Sequence, residues 1–251
     1  MNGFSRLAFV ETKLFLRETG AAIGVFGLPV ALVIGFGLIP GFSDPQKSLS
    51  GQIGTEYIAS ISVAIVLAVL GLTGVPMVIG QYRERGILRR LGVTPVRPLT
   101  LLLADLMVWA AAAILSVAVV IGVARLAYHV PAPRLAGWFI VSLLLGIAAL
   151  FSLGLLVASV APTARSSAGL GWLLFFPNMF FAGVYFPTEE MSSVMRQIGN
   201  FTPLGAALHA MRDSWMGLAP RPEYLGIMAA YAVISAALAE KRLISTTKGK
   251  S

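Results

Sequence analysis

Side chains able to do chemistry are few in this sequence, and their spacing excludes most of what they could do. His129 and His209 are its two histidines. Neither has a carboxylate or a second histidine at metal-ligand spacing, so metal binding and acid–base catalysis find no constellation. Glu189 and Glu190 are adjacent, which suits the first turn of a helix, where negative charge is favoured. Cysteine is absent, which removes disulfides, thiolate metal sites and cysteine nucleophiles together and leaves the compartment open. Gly249-Lys250-Ser251 echoes the close of a phosphate-binding loop. That motif needs a glycine five residues before Gly249, where Ile244 stands, and a helix after it. Any nucleotide hydrolysis is therefore expected from another chain, and no cofactor is expected on this one.

What remains is charge. The stretch from Gln81 to Thr100, QYRERGILRRLGVTPVRPLT, is the most basic in the chain, and long apolar runs close it in on both sides. A loop this charged, held between membrane spans, is a handle by which something outside the membrane could grip them. Tyr82 to Leu91 suits a short helix with Tyr82, Ile87, Leu88 and Leu91 apolar and Arg83, Glu84, Arg85, Arg89 and Arg90 polar. Gly92, Thr94 and Pro95 would end it. The plain alternative is a basic topology determinant with no partner.

The elements that must position this loop follow from composition. Of 251 residues, 57% are hydrophobic and 12% charged, against about 25% charged in soluble domains. The apolar residues fall in long blocks, so the chain is expected to be an all-α polytopic membrane protein. Its net charge of +8 sits in short loops, which fits orientation in the membrane and contact with anionic lipid; no nucleic-acid partner is expected. Residues 1–19 suit an amphipathic interfacial helix, with Phe4, Leu7, Ala8, Leu14 and Phe15 opposite Arg6, Lys13 and Arg17. The run after it is longer than a signal-peptide core of about 7–15 residues and lacks a cleavage site. Six spans are expected: 20–40, bent at Pro29, then 57–79, 101–124, 135–160, 168–186 and 223–239. Residues 187–222 are too polar to span and suit two short amphipathic helices at the far membrane face, broken at Asn200 to Pro203.

Six spans put both termini on one side, together with residues 81–100. Of the 19 Lys and Arg, only Lys47, Arg125, Arg134, Arg196, Arg212 and Arg221 fall on the other side, so both termini and the basic loop are expected in the cytoplasm. No span carries an ionisable group near its centre, which argues against ion coupling. Asp105 lies near the start of its span, where snorkelling or pairing with a loop arginine is expected. The G-x-x-x-G spacings at Gly20/Gly24 and Gly37/Gly41 assign no dimer face in a chain with 26 glycines.

Tyr82-Arg83-Glu84-Arg85-Gly86-Ile87-Leu88-Arg89-Arg90-Leu91, followed by Thr94-Pro95-Val96, resembles the cytoplasmic loop of bacterial type-2 ATP-binding-cassette (ABC) exporter permeases of the drug-resistance and polysaccharide-export group. A second set is similar to the fifth span and outer re-entrant helices of that family. It comprises Pro177, Phe181-Ala182-Gly183-Val184-Tyr185-Phe186-Pro187, Glu190-Met191, and Thr202-Pro203-Leu204 to Ala210-Met211-Arg212. Both sets keep the order and spacing of the family, and with the span count they cover nearly the whole chain. Two departures stand out: Ile87 and Arg89 occupy positions where members often carry Thr and Glu, and Ser192-Ser193 lies near a frequent proline.

The resemblance implies a permease subunit of the bacterial inner membrane with a coupling helix that docks on a separate ABC ATPase, two copies of which carry ATP and Mg. The docking residues implied are Tyr82, Arg83, Glu84, Arg85, Gly86, Leu88, Arg89, Arg90 and Leu91. It implies a second permease chain, identical or homologous, a substrate path involving Asn178, Phe181 and Tyr185, and outward movement of an apolar or amphipathic drug-like or lipid-like cargo. Two rivals from other classes are an ion-coupled carrier or channel and a non-transporting membrane sensor subunit.

Overall fold

A computed structural model describes residues 26–39, 54–87, 98–185 and 188–248. Within them every regular element is helical. The helices are α1 (Leu28–Gly37), α2 (Gly54–Ala68), α3 (Val75–Glu84), α4 (Pro98–Tyr128), α5 (Ala136–Val160), α6 (Ala164–Phe181), α7 (Ser193–Phe201), α8 (Pro203–Met216) and α9 (Pro222–Lys248). Four stretches are long and apolar enough to cross a membrane: Glu56–Glu84, Thr100–Tyr128, Ala136–Val160 and Pro222–Arg242. They make the chain a multi-pass membrane protein.

Among the described residues, the two remaining expected spans do not reach that standard, positions 20–25 and 40 of the first lying outside them. Of the first, the described residues show α1, 10 residues long, entered through a π turn at Phe26 and Gly27 just before Pro29. The fifth, α6, has 18 residues, diluted by Arg165, Ser166, Ser167 and Asn178. It begins four positions before the expected 168, because Thr163 and Ser166 form a reciprocal capping box. It stops by Ala182-Gly183, Gly183 taking φ 85°. The interfacial helix expected over 1–19 lies outside the described residues.

Glu56–Glu84 is the central element, 83% of its most apolar stretch being buried, against 33% for α4 and 22% for α9. A π turn, Val69–Gly74, joins α2 to α3. Its cause is Pro76, which has no N–H to return to the Leu72 carbonyl in an α pattern. The Val75 N–H instead bonds the Leu70 carbonyl, five residues back. The neighbouring helices meet this widened turn with glycine. A Cβ on Gly154 of α5 would run into the Gly71 carbonyl oxygen, and one on Gly171 of α6 into that of Leu72. Backbone therefore packs on backbone, with Leu70, Leu72 and Leu150 fully buried around the contact.

The far helices divide as expected at Asn200 to Pro203, but only one lies on the surface. On α7, Val194, Met195, Ile198 and Phe201 are exposed. The α8 helix is inserted in the core, Leu204, Leu208, Met211 and Trp215 being buried against α2, α5 and α9. Gly37 lies under the Tyr128 ring, whose hydroxyl donates to the Ile34 carbonyl at 2.8 Å, so its face is taken up within the chain.

Gly154→Ala or Gly171→Ala should destabilise the protein by about 1–3 kcal/mol through overpacking against a carbonyl that cannot move aside. Gly169→Ala, with open space around it, should be neutral or stabilising. Thermal unfolding of the three variants in detergent checks the contrast.

Candidate functional site

The basic loop begins where α3 ends, and its first residues turn back onto the protein. The span helix runs on through Tyr82, Arg83 and Glu84 and stops at Arg85, with Gly86 in the left-handed region at φ 67°. Only glycine adopts that conformation at little cost. The short helix expected from Tyr82 to Leu91 is therefore interrupted at Gly86, and its first turn belongs to the span. Leu88, Arg89, Arg90 and Leu91, with the expected stop at Thr94 and Pro95, lie outside the described residues.

Arg83 and Glu84 serve opposite ends of two other helices. The last carbonyls of α5 have no partner within their helix, and neither do the first N–H groups of α6. Nη1 of Arg83 donates to the carbonyls of Ala158 at 2.7 Å, Ser159 at 3.0 Å and Ala161 at 2.7 Å. Oε2 of Glu84 accepts the Ala164 N–H at 2.9 Å. Thr163 Oγ1 takes the Ser166 N–H at 3.1 Å, and Ser166 Oγ takes the Thr163 N–H at 3.1 Å. Each charge matches the helix end it meets, cation on the negative C-terminus and carboxylate on the positive N-terminus. One turn earlier, a Cβ on Gly80 would lie 2.9 Å from both Ala164 Cα and Ser167 Cβ, so α3 and the start of α6 are nearly in backbone contact. The three-residue α5–α6 joint and the end of α3 thus form one clamped corner.

The other implied docking residues divide. Tyr82 is half-buried and packs on the core, as does Ile87, whereas Arg85 is exposed.

At the opposite end of the molecule α2 is tied to α6 again. The Tyr57 hydroxyl donates to the Gly183 carbonyl at 3.0 Å, and the Arg212 guanidinium sits 4.9 Å above the Tyr57 ring, within cation–π range. Arg212 is 5% exposed. The α8 helix docks on the α4–α5 joint, Trp215 Nε1 donating to the Pro131 carbonyl at 2.9 Å and its ring meeting Phe139 edge-on at 5.6 Å.

Residues singled out for the substrate path differ in their exposure. Asn178 is buried, its Nδ2 donating to the Leu174 carbonyl of its own helix at 2.9 Å. Phe181 is half-buried, and Tyr185 is exposed past the helix end. Asp105, two turns into α4, is 2% exposed, so of the two expected roles, snorkelling or pairing with a loop arginine, its burial removes the first. His209 is half-buried and stacks on Tyr224 at 5.5 Å, and His129 is exposed. Among the described residues no group of three His, Asp or Glu could hold a metal.

Residues 39–240 match the model of the ABC-2 family transporter protein family, a range that takes in every helix above except α1 and the end of α9. The chain belongs to the ABC-2 transporter family. A second similarity is to "Nodulation protein J" of Rhizobium leguminosarum bv. viciae, 28% identical over 99 residues that make up 37% of this chain and 38% of that protein. This ABC-2 chain therefore shares little more than a third of that relative's length in the match.

Ala158, Ser159, Ala161 and Ala164 were missed from sequence because they act through backbone atoms and show no side-chain signal. Thr163 and Ser166 did carry one, the spacing of a helix cap. Thr163→Ala should cost about 1 kcal/mol and speed amide hydrogen exchange over residues 164–167 without affecting α8. Mass spectrometry of exchanged peptides from both regions makes that comparison.

Proposed function

We propose that this chain is the membrane permease of an ABC exporter, with the loop after α3 docking on a separate cytoplasmic ATPase. The observation that carries this reading is the family match across 39–240, taken with a basic loop that leaves the most buried of the four spans among the described residues. A partner gripping that loop acts directly on the core. ATP and Mg would bind on the ATPase, present in two copies. The docking contacts are assigned to Arg85, Leu88, Arg89, Arg90 and Leu91, with Tyr82 and Gly86 setting the direction in which the loop leaves.

Two permease chains, identical or homologous, would face each other across the substrate path. The residues Asn178, Phe181 and Tyr185 of α6 and its exit are assigned to that path. The cargo is an apolar or amphipathic molecule, drug-like or lipid-like, moved outward across the bacterial inner membrane, with both chain termini in the cytoplasm. An apolar cargo is supported by a groove of about 430 Å³ between α4, α5 and α9, lined by residues such as Met107, Ile147 and Phe151, with Glu240 its one charged lining residue.

Arg89→Ala combined with Arg90→Ala should reduce co-purification of the ABC ATPase at least about tenfold, the equivalent of roughly 1.4 kcal/mol, while the amount of inserted permease is unchanged. Pull-down from detergent-solubilised membranes measures both, and undiminished recovery of the ATPase would contradict the docking assignment.

A further inference from the structure

Resting on that reading, we propose that Arg83 and Glu84 are positioning residues of the coupling device and not contacts to the ATPase. They would join the end of α3 to the α5–α6 corner so that a displacement of the loop is carried into α6. Both side chains are engaged on main-chain atoms of their own protein. Nη1 of Arg83 meets three carbonyl oxygens at 2.7–3.0 Å, and Glu84 accepts the first N–H of α6 at 2.9 Å. All three bonds fall on Nη1, which fixes the guanidinium against the α5–α6 corner.

Their neighbours on the same helices make the joint stiff. Gly80 allows α3 to lie against Ala164 and Ser167, and the π-turn carbonyls of Gly71 and Leu72 lie against Gly154 and Gly171. Tyr57 closes the far end on Gly183. The central span and α6 are thus fastened at both ends and in the middle, along a helix of 18 residues, or about 27 Å. Such a pair moves as a body, because packed backbone contacts have no intermediate arrangement to relax into.

The chemistry separates this role from a charge contact. Glutamine keeps an oxygen that accepts the Ala164 N–H but carries no charge, and alanine keeps neither. A clamp tolerates Glu84→Gln and fails with Glu84→Ala; a salt link to the ATPase fails with both.

The chain has no native cysteine, so a single reporter, Val184→Cys, can be placed beyond the end of α6. The permease is assembled with its ABC ATPase in liposomes, and the rate of maleimide labelling is measured with and without ATP. In the reporter protein ATP should change the rate at least about threefold, and Glu84→Gln should retain that response. Glu84→Ala and Arg83→Ala should recover the ATPase in normal amount yet lose most of the response. The proposal is overturned if ATP leaves the reporter unchanged, if Glu84→Gln fails together with Glu84→Ala, if Glu84→Ala keeps the full response, or if either alanine variant loses the ATPase. Failure of the unsubstituted permease to bind any ABC ATPase would overturn the functional reading itself, which is a different outcome.

Discussion

Helix ends are the constraint on which this structure depends. In an apolar surrounding an unpaired backbone N–H or carbonyl costs several kcal/mol, so each break between helices has to be satisfied by something nearby. The corner between α5 and α6 lies at the exposed edge of the bundle, within reach of water, and the central span satisfies it with two consecutive side chains of opposite charge. Arg83 covers the carbonyl end and Glu84 the N–H end. Their order along α3 matches the antiparallel order of the two helix ends. The residues that complete the corner also begin the basic loop, which is the basis for the proposed coupling of the loop to α5 and α6.

Higher in the same span the difficulty is inverted. Pro76 and the π turn release carbonyls that a regular helix would occupy, and Gly154 and Gly171 bring neighbouring backbones against them. A side chain at either position would hold the helices apart and leave the turn open. The π turn is thus as much a packing feature of α5 and α6 as a kink in their neighbour. At the opposite end Tyr57 uses its hydroxyl on Gly183 and its ring under Arg212, which brings α8, α2 and α6 together at a single aromatic residue. A cation there is tolerable because the ring face and the polar end of the bundle share its charge.

Much of the architecture was legible because long apolar blocks admit few readings. The second, third, fourth and sixth spans fall close to their expected places, and the α7–α8 break was announced by Asn200 and Pro203. The first and fifth spans were less legible: α6 is diluted by small polar residues, and its cap at Thr163 and Ser166 lay within what looked like a simple return loop. The site was legible as a location and not as a mechanism. Arg83 and Glu84 stood out by charge, yet their partners are main-chain atoms 75 to 80 positions away, and backbone acceptors have no sequence signature. Arg212 was hidden for a related reason, since α8 has the composition of a surface helix while its surroundings bury it.

The proposal that unites these observations is that the central span, the α5–α6 corner and α6 move together when the loop is displaced. Spin labels at Gln81→Cys and Arg165→Cys span the clamped corner within one chain, and Arg165→Cys alone reports the separation of two facing chains. Measured by pulsed electron resonance in the liposome-bound complex with its ATPase, ATP should shift the distance between chains. The Gln81–Arg165 distance should stay constant within about 2 Å, as expected of a rigid-body transition. A change in the Gln81–Arg165 distance on ATP binding would contradict it.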